Sequence, residues 1–297
     1  MMADLLAWYR MRKNYSDDLF SNYLAYAFDA PEPMTVSIGD EPETGPHIDG
    51  ERLSEASEVH LWVTQSLHDQ LLIALIVLLF DRFQFDHSKL RVVEFPETHQ
   101  KWPIRTVGEL NPETINRLNH GSRSLDPEQI EELRKVWRAY TSNDPGLLIE
   151  YLAGSSSLPF LQRAMAELVQ RYPDVQTGLN RWDNALLQQT IENGPLLLRV
   201  FGYTWVFDDT PDIVGESYLF DRITKLGGTN VSSPLVSLST SDLPRKRPIV
   251  EITDFGKRVL AGEANHVEEN GIDDWIGGVH LTPDTVVFRD RDRLLLS

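Results

Sequence analysis

Polar residues that follow two neighbouring apolar segments are the first candidates for chemistry. They would combine three hydroxyl groups, an amide, a carboxylate and an imidazole near one helix start, whose backbone N–H groups attract anions. Such a set could hold a small polar or phosphorylated ligand. The alternative is that a serine only caps the helix and the other side chains are solvated. The candidate ligand-binding residues are Thr64, Gln65, Ser66, Glu97, Thr98 and His99.

A basic segment between residues 222 and 258 is the second candidate. Its seven basic and three acidic residues give it a net charge of +4 in a chain of net charge −17. On a helix followed by a hairpin, these side chains could contact phosphates of nucleic acid or an acidic protein partner. The alternative is a solvated hairpin tip, or a surface that pairs with the acidic body of the chain. The basic residues are Arg222, Lys225, Arg245, Lys246, Arg247, Lys257 and Arg258.

The third candidate is the segment Asp273–His280. Trp275 and His280 could line a pocket, with Asp273 or Asp274 as a carboxylate partner. The two glycines between them permit a tight turn. The alternative is a turn that anchors the tryptophan in the core.

Catalytic and metal-binding patterns are weak. The chain has no cysteine, which excludes thiol nucleophiles and cysteine-ligated metals. Its eight histidines are dispersed, and Gly154–Ser157 lacks the spacing of a nucleophile elbow. The sequence therefore predicts no metal and no cofactor, and it favours a non-catalytic protein over an enzyme.

A strand–helix–strand unit over Glu58–Glu97 is expected to position the first candidate. Val59, Leu61 and Val63 alternate as in a strand, and Ser66 is placed to cap the helix that follows. Two strands joined by a helix are most simply parallel, so their carboxyl ends meet at one edge of the sheet. Ligands in such sheets bind beyond that edge.

A helical middle is predicted after this unit. Asn111–Pro112, Asp126–Pro127 and Asp144–Pro145 each place a capping residue before a proline, which is typical of a helix start. Further helices are predicted over Pro159–Arg171 and Arg181–Glu192. Upstream of the central unit, residues 1–30 are expected to be helical and Met34–Ile38 to be a strand.

The C-terminal part is predicted to be a winged-helix-like α+β module. A helix over Gly215–Leu226 precedes two strands, Pro234–Leu238 and Pro248–Thr253, joined by a basic turn. Val287–Leu296 is expected to be an edge strand. The predicted fold is therefore an α/β N-terminal region with a short parallel sheet, a helical middle and this C-terminal module. The predicted domains are residues 1–175 and 176–297.

Composition limits the partners and the location. A net charge of −17 disfavours non-specific binding to nucleic acid or to an anionic membrane. The apolar run Leu71–Phe80 is far shorter than the roughly 20 residues of a spanning helix. No secretory signal is recognised at the N-terminus. A cytoplasmic protein without a membrane partner is expected.

Several short patches resemble a bacterial family known as domain of unknown function 1835, with its companion family 3658. They are Leu61–Trp62 before Asp69–Leu71, Trp137–Tyr140 before Asp144–Pro145, Leu158–Leu161 through Tyr172–Pro173 to Gly178–Leu179, and Val259–Gly262 before Trp275–Leu281. The resemblance covers most of the chain from about residue 58 onward. The family has no established activity, so the resemblance implies an architecture rather than a chemistry.

The chain departs from this family at the first candidate site. The family usually has an acidic residue, a histidine and an aspartate where this chain has Thr64, Gln65 and Ser66. Its aromatic-rich ending is also reduced, to Val287–Asp290. These changes favour a non-catalytic binding or regulatory protein that acts through its C-terminal module. An enzyme or a phosphate-ligand binder at the strand ends is the alternative.

Overall fold

The computed structural model describes residues 55–96, 98–99, 102–118, 121–206, 210–228, 231–240 and 247–296. These residues form an N-terminal unit, 55–168 with 210–213, and a C-terminal unit, 169–206 with 214–296. The predicted helix and strand before residue 39 lie outside the described residues, as do Glu97, Arg245 and Lys246. The domain division after residue 175 remains a prediction.

A three-stranded sheet organises the N-terminal unit. Its strands are β1 (Val59–Val63), β2 (Leu90–Glu94) and β5 (Arg123–Ser124), in the order β1-β2-β5. β1 and β2 are parallel, with Val59 opposite Leu90, whereas β5 is antiparallel to β2. A separate short pair is formed by β3 (Thr98–His99) and β4 (Trp102–Pro103). The predicted parallel sheet is confirmed.

Five helices cover this unit. They are α1 (Leu67–Phe83), α2 (Pro112–Leu118), α3 (Pro127–Thr141), α4 (Gly146–Ala153) and α5 (Pro159–Leu168). α1 packs against α3 and α5, and most of its residues are buried. This burial explains why its sequence is apolar on every side rather than along one stripe.

Three of the four caps predicted for these helices are present; at α4 the cap position is occupied by Pro145, and Asp144, the predicted cap, lies one residue earlier and accepts the Gly146 N–H at 2.8 Å. Ser66 accepts a hydrogen bond from the Asp69 N–H at the start of α1. Asp126 and Gln129 form a reciprocal capping box at the start of α3. Asn111 likewise accepts from the Thr114 N–H. These side chains satisfy backbone donors that the first turn of a helix leaves without intrahelical partners.

The C-terminal unit begins with three helices and a hairpin. The helices are α6 (Arg181–Asn193), α7 (Leu197–Val206) and α8 (Glu216–Gly227), and the hairpin pairs β6 (Val236–Thr240) with β7 (Pro248–Ile252). Leu196, between α6 and α7, also forms an antiparallel bridge with Ile249 of β7. Trp182, Phe201, Phe220 and other apolar side chains fill the core between these elements.

Short elements complete this unit. They are α9 (Asp254–Leu260), α10 (His266–Asn270), and the hairpins β8 (Asp274–Ile276) with β9 (Val279–Leu281) and β10 (Phe288–Asp290) with β11 (Arg293–Leu295). The single edge strand predicted over Val287–Leu296 is therefore a hairpin. Its turn is made by Asp290–Arg293, with Arg291 at a positive φ of 55°. None of the helices in the described ranges has the length and apolar character required to cross a bilayer.

Candidate functional site

The polar groups at the end of β1 are bonded to one another. Thr64 is 1% exposed, and its backbone N–H donates to Asp69 Oδ2 at 2.7 Å. Its hydroxyl oxygen lies 2.7 Å from the same carboxylate oxygen and 3.0 Å from the carbonyl oxygen of Arg105. Gln70 donates to the Thr64 carbonyl at 2.7 Å. The hydrogen-bonding groups of Thr64 are therefore occupied inside the protein.

Backbone N–H groups at the start of α1 are also hydrogen-bonded within the protein. The N–H of Ser66 donates to the Thr64 hydroxyl at 3.2 Å, and the N–H of Leu67 donates to Pro211 O at 2.8 Å. The Asp69 N–H donates to the Ser66 hydroxyl at 3.3 Å. An anion at this helix start would have to displace these contacts, because a bound phosphate needs the same N–H groups.

Gln65, the next member of the strand-end set, is buried as well. Gln65 is 7% exposed, and its side-chain oxygen lies 3.4 Å from Arg163 Nη1. Thr98 and His99 belong to the short strand β3, and Glu97 lies outside the described residues. The structure thus brings Thr64, Gln65 and Ser66 together as a buried connection between strand and helix.

Arg222, a candidate contact for nucleic acid or a protein partner, is buried in α8 with a residue exposure of 6%. Its Nε and Nη2 donate to the two carboxylate oxygens of Asp183 at 2.7 and 2.6 Å. Its Nη1 donates to Asp274 on β8. A bidentate ion pair of this kind fixes the orientation of the guanidinium group. Arg222 therefore joins α6, α8 and β8 and does not present its charge to a ligand.

Lys225, one turn further along α8, is held by the same network. Its amino group donates to Asp274 and lies 3.4 Å from Asp221 Oδ2. Burial alone would raise the pKa of Asp274, but Arg222 and Lys225 outweigh it and lower that pKa to about 2. Burial raises the pKa of Asp221, against the opposing effect of Lys225. The two predicted helix cations are thus largely neutralised by carboxylates.

The other described cations of the basic segment lie on or before β7 and on α9. Arg247 is half-buried next to β7. Lys257 and Arg258 are exposed on α9, and Lys257 Nζ lies 2.9 Å from Asp254 Oδ1. An exposed pair of this kind adds little stability, so Lys257 can exchange Asp254 for another anion at small cost.

The hairpin β8–β9 assembles the third candidate. The rings of Trp275 and His280 stack with centroids 4.2 Å apart and an interplanar angle of 4°. His280 Nε2 lies 2.7 Å from Asp273 Oδ1. Trp275 is 41% exposed, so the turn at Gly277 does not anchor it in the core. Asp274 points instead to Arg222. The structure therefore groups Trp275, His280 and Asp273 on the surface.

Sequence reasoning missed two charged groups. Glu132, on α3, is buried and accepts hydrogen bonds from the side chains of Tyr151, Ser156 and Ser157 and from the Ser157 N–H. These hydrogen bonds attach the Gly154–Ser157 link between α4 and α5 to α3. The second is Arg289 on β10, whose Nε donates to Tyr172 O at 3.0 Å and whose Nη1 lies 3.5 Å from Asp174 Oδ2. Both resemble ordinary surface charges in the sequence, because their partners are distant along the chain.

Comparison with known proteins identifies no relative. No family model, no curated protein and no solved structure matches the chain. The resemblance to domain of unknown function 1835 and its companion family therefore remains a prediction. Among the described residues, no group of three or more His, Asp or Glu side chains is arranged to hold a metal ion.

Proposed function

We propose that this protein is a non-catalytic binding protein whose C-terminal unit docks an acidic protein partner. The basic connection between β6 and β7, together with α9, would form the docking surface. The observation that carries this proposal is that Arg222 and Lys225 form ion pairs with carboxylates of the same unit. The charge of α8 is thereby neutralised, and the cations left to bind a partner are those of the β6–β7 connection and of α9, here called the basic hairpin region.

A winged-helix arrangement is the fold we infer for this unit. Three helices followed by a hairpin have the order of that module, with α8 as its third helix. The bridge from Leu196 to Ile249 supports this assignment, because it adds a short strand segment between the first two helices. The Val250 N–H donates to Pro195 O at 2.8 Å beside it.

A protein partner is favoured over nucleic acid by the charges on α8. A helix that enters a DNA groove needs cations that can reach phosphates and bases. On α8, Arg222 is buried, Lys225 is paired, and the first turn carries the exposed acid Glu216. The net charge of −17 adds a long-range repulsion from the nucleic-acid backbone. The basic hairpin region instead complements an acidic protein surface.

An enzyme or phosphate-ligand site at the strand ends receives no comparable support. Thr64 and Ser66 are 1% exposed, and the N–H groups at the start of α1 already donate to the chain. Such a site would need these bonds to open before a ligand could enter.

The direct test compares two labelled probes, an acidic peptide rich in Glu and Asp and a duplex DNA. Binding of each to the full chain is followed by fluorescence anisotropy at low and moderate salt. The test variant reverses the charges of Arg245, Lys246 and Arg247 to Glu. A matched control reverses Lys135 and Arg138, two exposed cations on α3.

The proposal expects the wild-type chain and the α3 control to bind the peptide and the hairpin variant to lose binding. Duplex DNA should show no salt-dependent binding. Binding of DNA with a steep salt dependence that disappears in the hairpin variant would replace the protein partner by nucleic acid. Absence of binding to both probes, or equal losses in the two variants, would remove the proposal.

A further inference from the structure

Ser233 is bound to α10 through both its backbone and its side chain. It lies between the end of α8 and the start of β6, and its N–H donates to Asn270 Oδ1 at 2.9 Å. Its carbonyl oxygen accepts from Asn270 Nδ2 at 3.0 Å, and its hydroxyl donates to Glu269 Oε1 at 2.7 Å. Two side chains of one short helix therefore hold the connection between α8 and β6.

The amide of Asn270 has one orientation that suits these bonds. The Ser233 N–H can only donate and the Ser233 carbonyl can only accept, so Oδ1 must face the first and Nδ2 the second. The same Nδ2 lies 3.0 Å from Nδ1 of His266, one turn earlier on α10. Nδ1 must therefore accept this hydrogen bond, and the proton of the neutral imidazole is on Nε2.

Protonation of His266 removes this acceptor. Both ring nitrogens of an imidazolium are donors, so Nδ1–H would point at the amino group of Asn270. Turning the amide over would offer Oδ1 to His266. It would also place a donor against the Ser233 N–H and an acceptor against the Ser233 carbonyl. Asn270 can thus bond to Ser233 or to a charged His266, but not to both.

The surroundings of His266 favour its neutral form. The residue is 8% exposed, and burial lowers its pKa. The charged groups that face it are Asp183 on α6, Arg222 on α8 and Asp274 on β8. The two carboxylates raise the pKa in part, but both are already bonded to Arg222, whose own charge lowers the pKa.

We propose that His266, Asn270 and Ser233 form an acid-sensitive clasp, in which protonation of His266 releases Ser233 from α10. The connection between α8 and β6 would then open locally, without unfolding of the core between α6, α7 and α8. The bond that closes the clasp needs neutral imidazole, so it is fully present above the ordinary pKa of 6.5. It is lost as the pH falls through the lowered pKa of the folded protein. The clasp does not depend on the docking surface proposed above.

Hydrogen exchange of the full chain, resolved by residue with NMR and corrected for the intrinsic effect of pH, tests the clasp. On acidification from about pH 7.5 to about pH 5, the Ser233 N–H should exchange about tenfold faster, the change expected for loss of a buried hydrogen bond. The N–H of Leu187, in the core of α6, should keep its protection. Imidazole nitrogen shifts should show His266 in the Nε2–H form at neutral pH.

Two variants should change the response in different ways. His266→Gln should abolish the acceleration, because it leaves no imidazole to protonate. Asn270→Asp should reverse it, because a carboxylate can accept from both the Ser233 N–H and a protonated His266. These different responses distinguish the clasp from a general loss of structure in acid.

His280→Gln is the matched control. It removes a more exposed imidazole of the same unit, whose Nε2 lies 2.7 Å from Asp273 Oδ1, and it should leave the acceleration unchanged. The proposal is overturned by an Nδ1–H tautomer of His266 at neutral pH, or by Ser233 exchange that does not accelerate in acid. It is equally overturned if the acceleration persists in His266→Gln or in Asn270→Asp, or if it disappears in His280→Gln.

Discussion

Replacement of Arg222 by methionine tests whether this residue is part of the core or part of a ligand surface. Methionine has a comparable length and no charge. It would leave Asp183, which is 1% exposed, without the two hydrogen bonds of 2.7 and 2.6 Å that it accepts from Arg222. Asp274 would keep only Lys225 as a cationic partner.

The expected cost is large. Removing one partner of a buried ion pair typically costs about 3–5 kcal/mol, since the other charge stays buried without compensation. A domain of ordinary stability has about 5–15 kcal/mol in total. Arg222→Met should therefore bring the C-terminal unit close to its stability limit. Arg258→Met, on the exposed face of α9, should change the unfolding free energy by less than about 0.5 kcal/mol.

Urea unfolding of the full chain, followed by circular dichroism, measures the two variants against the wild-type chain. Hydrogen exchange of α6 and α8 assigns the loss to the C-terminal unit. A second variant, Arg222→Met with Asp183→Leu, removes both charges and should recover a substantial part of the loss, because an apolar pair can replace a buried ion pair.

The outcome that contradicts this reasoning is a small effect. If Arg222→Met unfolds within about 1 kcal/mol of the wild-type chain, as the Arg258 control does, the ion pair does not hold α6 to α8. Arg222 would then return to the set of surface cations, and the preference for a protein partner over nucleic acid would lose its main support.

Three further changes have defined outcomes in the same unfolding assay. Glu132→Gln should cost about 2–3 kcal/mol by weakening four accepted hydrogen bonds, whereas the neighbouring exposed Glu131→Gln should cost less than about 0.5. Gly178→Ala should cost about 2 kcal/mol, because Gly178 has a φ of +70° and a Cβ would lie 2.6 Å from Val267 N. Gly202→Ala in α7 should stabilise by about 0.5–1 kcal/mol, because an added Cβ would meet nothing within 4 Å beyond its chain neighbours and the backbone of its own helix. Burial lowers the pKa of His266 below its ordinary 6.5, so the unfolded chain takes up this proton first. Stability should therefore fall from about pH 7 to about pH 5, and His266→Gln should flatten that slope; an unchanged slope would exclude His266 as its source.

The parts of the fold that the sequence predicted are those with local signals. The Ser66 cap, the Asp126 cap and the proline after it lie within a few residues of the helix starts they define. The alternating apolar side chains of β1 and the continuous apolar run of α1 likewise indicate which of their residues are buried. Such patterns depend on neighbours along the chain, and a single sequence contains them in full.

The parts that the sequence did not predict depend on distant partners. The carboxylates that bind Arg222 come from positions 39 and 52 residues away. In the sequence this arginine lies on an amphipathic helix beside a basic turn, a pattern equally typical of a DNA-reading helix and of a buried ion pair. The tail Val287–Leu296 was predicted as one strand rather than as a hairpin, because the turn at Asp290–Arg293 has neither glycine nor proline to mark it.

The candidate residues fall into two groups, according to whether their polar groups are already hydrogen-bonded within the protein. At the strand end and on α8, the polar groups are buried and satisfied by Asp69, Asp183 and Asp274, so a ligand there would have to compete with bonds formed on folding. The exposed cations of α9 differ, because an anion can bind them without breaking a buried hydrogen bond. Residue type alone made the strand end a candidate ligand site, but its hydrogen-bonding groups are already used within the protein.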